Sequence, residues 1–317
     1  MWPHKQTTQP SPPPRRTLKA KPFPSQPSRS WIWEQDSHPY GGKIAALATK
    51  HDKLPLIGPA LEQTLSLNVE SIAVDTDTFG TFTGDVVRLG TPLETATAKA
   101  RLGMKASGHL LGIASEGSIG PDSAVPLVTA DRELIVFIDD EADIVVWESY
   151  TSWDIKTAKI VLRAGDEIDQ FLPNAGFPTH KLIVRPNDGS PRPIYKGIDR
   201  LEDLMAAIEE CTSADSSGLA CVETDLRAHV CPTRQTTIVK AAKRLASRLA
   251  TPCPSCFAPG WGVVDYIYGI PCASCGTEIA QPRAEVYGCP ACSHNSIQPL
   301  IAPDAKCDPG ECPRCNP

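Results

Sequence analysis

"GGKIAALATKHDKLPLIGPALEQTLSLNVESIAVD", residues 41–75, is the stretch on which the fold turns. Its first part, "KIAALAT" (43–49), is a short apolar run of strand length. Leu54, Ile57, Leu61 and Leu65 then recur at spacings of three or four, and "VESIAVD" returns to strand character. Helical periodicity between two strand-sized runs predicts strand, helix, strand. The same alternation continues downstream: a helix over 93–105 entered after Pro92, a strand in "HLLGIASEG", and two runs, "ELIVFID" and "DIVVWES", that read as a hairpin and add antiparallel pairing. A strand in "HKLIVRP", a helix over 200–211, a strand in "LACVET" and a last helix over about 236–249 complete the pattern. The expectation is an α/β domain with a mixed sheet flanked by helices over residues 40–251.

The flanks differ in kind. Residues 1–39 carry nine prolines, no acidic residue before Glu34, and six basic residues, Lys5, Arg15, Arg16, Lys19, Lys21 and Arg29. Such a segment buries too little apolar surface to offset chain entropy and is expected to be a disordered basic arm. Residues 252–317 hold nine of the twelve cysteines, and eight of these form four C-x-x-C pairs. That spacing points to metal, and with no short secreted framework it places the chain in a reducing cytoplasm.

The quartet Cys253, Cys256, Cys272 and Cys275, with fifteen residues between its pairs, reads as a zinc ribbon. Cys289, Cys292, Cys312 and Cys315, with nineteen residues between pairs, follow the same logic, with Cys307 or His294 as substitute ligands. Crossed pairing, first knuckle with third and second with fourth, is also geometrically allowed. Either way the ions, one or two Zn²⁺, are structural, because four thiolates leave no open position. Cys211, Cys221 and Cys231 share no ligand spacing and are expected in the core.

The formal charge of −6 and the 41% hydrophobic content exclude a strongly basic nucleic-acid binder. The tail itself has three basic residues against six acidic ones, so nucleic acid is not its expected partner and a protein is the alternative. No run reaches the ~20 apolar residues of a membrane span.

Within the α/β part, "DTDTFGTFTGD" (75–85) concentrates carboxylates and small residues after a strand. Asp75, Asp77, Asp85, Glu94 and Glu116 all fall at or beyond strand ends, where α/β sheets place their ligands. Holding Mg²⁺ and positioning water needs such acids, and phosphate needs lysines or backbone N–H groups. Farther on, "ETDLRAHVCPTR" crowds Arg227, His229 and Arg234 into the end of a strand and reads as a second half of one cleft. Walker-type loops, dinucleotide glycine fingerprints, G-x-S-x-G elbows and H-E-x-x-H helices are missing from the sequence.

Two resemblances add to this. The phrases "ATKHDK", "DTDTFGTFTGD", "ARLGMKASGHLLGIASEGSIGP", "GFPTHKLIVRP", "VETDLRAHVCPTR" and "CPSCFAPGWG" are similar to an uncharacterised bacterial family of unknown function that couples an α/β domain to a cysteine-rich ribbon. The α/β part also weakly resembles the inosine/xanthosine triphosphate pyrophosphatases, through Thr49 and Lys53 in "ATKHDK", "GTPLETATAKARLG" and "ASEGSIG". That resemblance implies Mg-dependent hydrolysis of a nucleotide or related phosphorylated metabolite. Glu94 and Glu116 would serve metal and water with support from Asp75 and Asp77, and Lys53, Lys99, Arg227, His229 and Arg234 would bind phosphate. A non-catalytic zinc-ribbon adaptor for a protein partner is the competing expectation.

Overall fold

The computed structural model describes residues 31, 33, 38–50, 53–76, 90–122, 125–190 and 192–317. The opening stretch forms β1 (Ile44–Thr49), α1 (Leu54–Leu65) and β2 (Asn68–Ala73), as its periodicity requires. α2 (Pro92–Ser107) starts on a capping box built by Thr91 and Glu94 and stops at Gly108, whose φ of 78° suits glycine. β3 (Leu111–Pro121), β4 (Thr129–Asp139) and β5 (Ile144–Ser152) follow as an antiparallel meander. The sheet order is β2-β1-β3-β4-β5, with β1 parallel to both β2 and β3, so the sheet is mixed.

Strand alternation sorts its two faces. Leu47, Ile113, Ile135 and Phe137 pack with α1 and with α5 (Pro232–Leu249), whereas Ala48, Ala114, Val136 and Ile138 pack with Ala96, Ala100 and Met104 of α2. Helices on both faces explain why β1 reads as almost continuously apolar. α2 lies so close that a Cβ on Gly112 would stand 2.4 Å from the Met104 sulfur.

Residues 153–249 contain a separate sheet that sequence periodicity did not distinguish from the first. β6 (Lys159–Leu162), β7 (Leu182–Pro186), β8 (Tyr195–Ile198) and β9 (Ala220–Thr224) pair in the order β6-β9-β7-β8, all antiparallel. The sheet has its own core, in which Leu182, Val184 and Val222 meet Phe171 of the short helix α3 (Phe171–Ala175) and Leu204, Ile208 and Cys211 of α4 (Leu201–Ala214). Period-two patterning marks a strand but does not name its neighbour. Cys211, Cys221 and Cys231 are buried, as expected, and burial pushes the Cys211 thiol up to about 11.

The cysteine-rich tail is a third sheet, β10 (Gly262–Pro271), β11 (Glu278–Gly288) and β12 (Asn295–Pro299), antiparallel throughout. No gap in the core separates it from what precedes. Cys253, Ala258, Trp261, Cys289 and Cys292 belong to the same apolar cluster as α1 and α5. The basic arm also ends sooner than its composition implies. Trp31 is buried and meets Tyr40 edge to face, and the Trp33 indole N–H donates to the Phe257 carbonyl at 2.6 Å. Residues 1–30 lie outside the described part. No helix among the described residues is long and apolar enough to cross a membrane.

Candidate functional site

The eight paired cysteines form two four-sulfur groups, and the grouping is the crossed one. Cys253, Cys256, Cys289 and Cys292 make one, and Cys272, Cys275, Cys312 and Cys315 the other, each with all sulfurs within 4.8 Å. The grouping of neighbouring knuckles in sequence is therefore corrected, for a geometric reason. Ten of the fifteen residues between the first two knuckles form a single strand, β10, which at ~3.3 Å per residue carries the second knuckle about 30 Å from the first. β11 returns antiparallel and delivers the third knuckle beside the first, with Gly262 opposite Gly288. The fourth comes back to the second.

Two Sγ–Sγ separations in each group fall at 3.6–3.9 Å: Cys253 to Cys292 3.9, Cys256 to Cys289 3.6, Cys272 to Cys315 3.8 and Cys275 to Cys312 3.6 Å. These are far too long for disulfides. Backbone N–H groups of Ser255, Ser274 and Ala291 point at the first sulfur of their knuckles at 3.3–3.4 Å. Hydrogen bonding with the Thr277 side chain and backbone holds the Cys275 thiol down to about 6. Both groups could hold a metal ion. Neither substitute ligand belongs to a four-sulfur group: His294 stacks on Trp261 at 5.1 Å, and Cys307, whose backbone bridges to Cys272, is buried beside the second group. Of the tail aromatics, Trp261 packs around the first group, while Tyr266 and Tyr268 are 41% and 50% exposed.

A second assembly of functional groups lies in the five-stranded sheet. β1 leads through α1 to β2 on one side, and β2 leads through α2 to β3 on the other. The two helices thus lie on opposite faces, and a ligand crevice is expected beyond the carboxyl end of β1. There β3 outruns β1. Their last paired residues are Leu47 and Ile113, and the rest of β3 pairs only with β4. The Lys53 ammonium, at the entry to α1, donates to the Ser115 hydroxyl at 2.8 Å. Burial, only partly offset by Glu133, holds this amine down to about 8. From the other face Lys99 of α2 meets Glu116 at 2.6 Å, and both are buried.

Behind Ser115 lies a buried acidic pair on β4. Glu133 takes the Arg234 Nε hydrogen bond at 2.6 Å, and Arg234 also donates to the Leu226 carbonyl at 2.7 Å. Gly117 makes this fit, since a Cβ there would stand 2.2 Å from the Glu133 carboxylate. Asp131 is fully buried, and neither of its oxygens, nor Glu133 Oε2, meets a hydrogen-bond partner among the described residues. Burial, then the Glu133 charge, pushes the Asp131 carboxyl up to about 6. The nearby Thr237 hydroxyl opposes that shift, although its own hydrogen bond goes to the Thr233 carbonyl.

Of the residues read from sequence, Lys53, Lys99, Glu116 and Arg234 gather in or behind this crevice. Glu94 does not. Its carboxylate accepts from the Thr91 backbone at 2.8 Å and from the Thr91 hydroxyl at 3.0 Å, on the exposed start of α2. Asp75 follows β2, is largely exposed and pairs with Lys50 at 3.4 Å. Asp77 and Asp85 lie outside the described residues. Arg227 and His229 lie instead in the turn that follows β9 of the antiparallel sheet, where Arg227 is clamped by Asp225 and lines a different cavity. The single cleft expected from "ETDLRAHVCPTR" is therefore divided. α5 begins at Pro232, four residues before the periodicity suggests, and this turns Arg234 inward.

Asp131 and Glu133 were not picked out from sequence. The available signal was their alternation with Ile135 and Phe137 in "DRELIVF", which puts all four on one face. The chain belongs to the family described as domain of unknown function DUF6671, whose model matches residues 99–317. The match contains Lys99, Glu116, Asp131, Glu133, Arg234 and all eight paired cysteines, while Lys53 and Asp75 precede it. No curated protein and no solved structure matches the chain.

Proposed function

We propose that the crevice beyond β1 binds the phosphate groups of a nucleotide or related phosphorylated metabolite, and that phosphoanhydride hydrolysis is the reaction it serves. The observation that supports this reading is the delivery of two ammonium groups, Lys53 and Lys99, from opposite faces of the sheet to the open edge of β3, beside Ser115 and Glu116. Lysines at such a position stabilise charge on transferring phosphoryl groups. The donor set expected for Mg²⁺ fits poorly. Glu94 is used in its helix cap, Asp75 pairs with Lys50, and Glu116 holds Lys99, so no step is routed through that ion.

The test is phosphate and pyrophosphate release over a nucleoside triphosphate panel, with binding followed in parallel. The reading expects saturable nucleotide binding that weakens at least ~10-fold in Lys53→Met, a loss of about 1.4 kcal/mol. It also expects turnover that falls in Glu116→Gln. A panel that neither binds nor turns over contradicts it.

For the tail we take the ion at each four-cysteine group to be zinc. A tetrahedron with metal–sulfur bonds of ~2.3 Å has sulfur–sulfur edges of about 3.8 Å, and the observed separations bracket that value. The tail would then be a structural ribbon. A role as a protein adaptor is favoured by one observation: Val264, Tyr266, Tyr268 and Ile297 are each 41–60% exposed on its strands. Pull-down by the full chain, lost on Tyr268→Ser and Ile297→Ser together, would support it. Pull-down unchanged by the pair would count against it.

A further inference from the structure

The antiparallel sheet carries a cavity of about 440 Å³ at the carboxyl end of β9, where edge strand β6 pairs Lys159 with Glu223. That volume lies within the ~300–1,000 Å³ range of small-molecule sites. Its cationic group is prepared in advance. Arg227 presents Nε to Asp225 Oδ1 at 2.9 Å and Nη2 to Oδ2 at 2.5 Å, and its backbone N–H donates to the same Oδ1 at 3.1 Å. Asp225 is fully buried, and its own backbone N–H is tied to the Lys181 carbonyl at 2.7 Å. The guanidinium is therefore held rigid along one edge, while Nη1 has no hydrogen-bond partner among the described residues. Immobilising the recognition group before binding removes much of the ordering cost of capture.

Charge and lining narrow the ligand. The lining itself is neutral, Lys159 and Arg227 against Glu223 and Asp225, but Arg185, which lies outside the lining, meets Glu223 at 3.3 Å and Arg227 offsets Asp225, so that counting Arg185 leaves Lys159 as one excess positive charge. Ala158, Ile183 and Leu226 supply apolar wall. One net cation, a fixed guanidinium and an apolar wall suit a singly charged organic acid better than a phosphate. We propose that this cavity is a binding site for a small monocarboxylate with an apolar body, its carboxylate on Arg227 and Lys159 and its body against Ile183 and Leu226. The site is separate from the crevice beyond β1, and the proposal stands whether or not that crevice binds nucleotides.

The experiment is a titration of the full chain, followed by amide chemical shifts and calorimetry, with hexanoate and benzoate as probes and inorganic phosphate and hexylamine as counter-probes. Saturable carboxylate binding is expected, with shifts centred on residues 157–159 and 223–227. Lys159→Gln, on the exposed edge strand, should weaken it several-fold, and Arg227→Gln at least ~10-fold, as for loss of a charge-assisted contact. Both variants are read alongside their melting curves, and Lys159→Gln carries the test if Arg227→Gln fails to fold. Lack of saturable carboxylate binding, affinity unchanged in Lys159→Gln, or equal shifts at residues 157–159 and 223–227 with phosphate or hexylamine would each overturn the assignment.

Discussion

The two four-cysteine groups share the same ligands and nearly the same sulfur separations, yet they occupy different surroundings. Cys253, Cys289 and Cys292 are buried in the apolar cluster that also contains α1, α5 and the inner face of the five-stranded sheet. The other group sits at the far end of the ribbon with a small cluster of its own, chiefly Ile270 and Ile279, and Cys315 is exposed. A metal at the first position therefore closes the core of the α/β part. A metal at the second closes only a tip. Identical coordination chemistry does not imply identical energetic weight, because the free energy of binding is spent on whatever the site organises.

The largest expected effect tests that difference. Cys289→Ser should abolish cooperative melting of the whole α/β part, whereas Cys315→Ser should leave the main transition in place and change only signals from residues 270–281 and 301–317. Calorimetry beside amide hydrogen exchange reads both, and equal losses would break the comparison.

A second, smaller effect comes from the charged groups that the same core encloses. Asp131, raised to about 6, binds a proton in the folded chain that the unfolded chain has already released between about pH 4 and 6. Its contribution to stability is therefore present at low pH and lost as pH rises through about 6. Asp131→Asn should raise the melting temperature at pH 7.5 by an amount corresponding to about 1–3 kcal/mol and have little effect at pH 4.5. The same gain at both pH values would contradict the assignment.

The smallest effect lies in the turns after the knuckles. Gly276 follows Cys275 with φ 70°, whereas Phe257 follows Cys256 with φ 61°, a left-handed conformation that suits glycine and strains phenylalanine. The Phe257 ring is 57% exposed, so Phe257→Gly should stabilise the first site by about 1 kcal/mol, read as a higher chelator concentration at half-release of metal.

Sequence patterns carried the strand and helix order of the first sheet well, because apolar runs and helical spacing are local properties. They did not carry strand partners. "KLIVRP" and "LACVET" read correctly as strands, but nothing local says that they pair with each other away from β1–β5. The charged crevice shows the same boundary. Lys99 and Glu116 could be singled out as charged residues of α2 and β3, though not as an ion pair, while Asp131 and Glu133 required knowing that α5 covers their face. Arg234 was grouped with Arg227 by proximity in the chain, and the early start of α5 separates them. The cysteines show it most plainly: counting fifteen residues between knuckles overlooks that ten of them are the extended strand β10.

Metal content of paired variants, counted by native mass spectrometry, addresses the crossed grouping directly. Cys275→Ser with Cys315→Ser removes two ligands from one group, so the folded protein should retain one ion; a protein that binds none would show that each substitution had disabled a different site, as knuckles grouped in chain order would require.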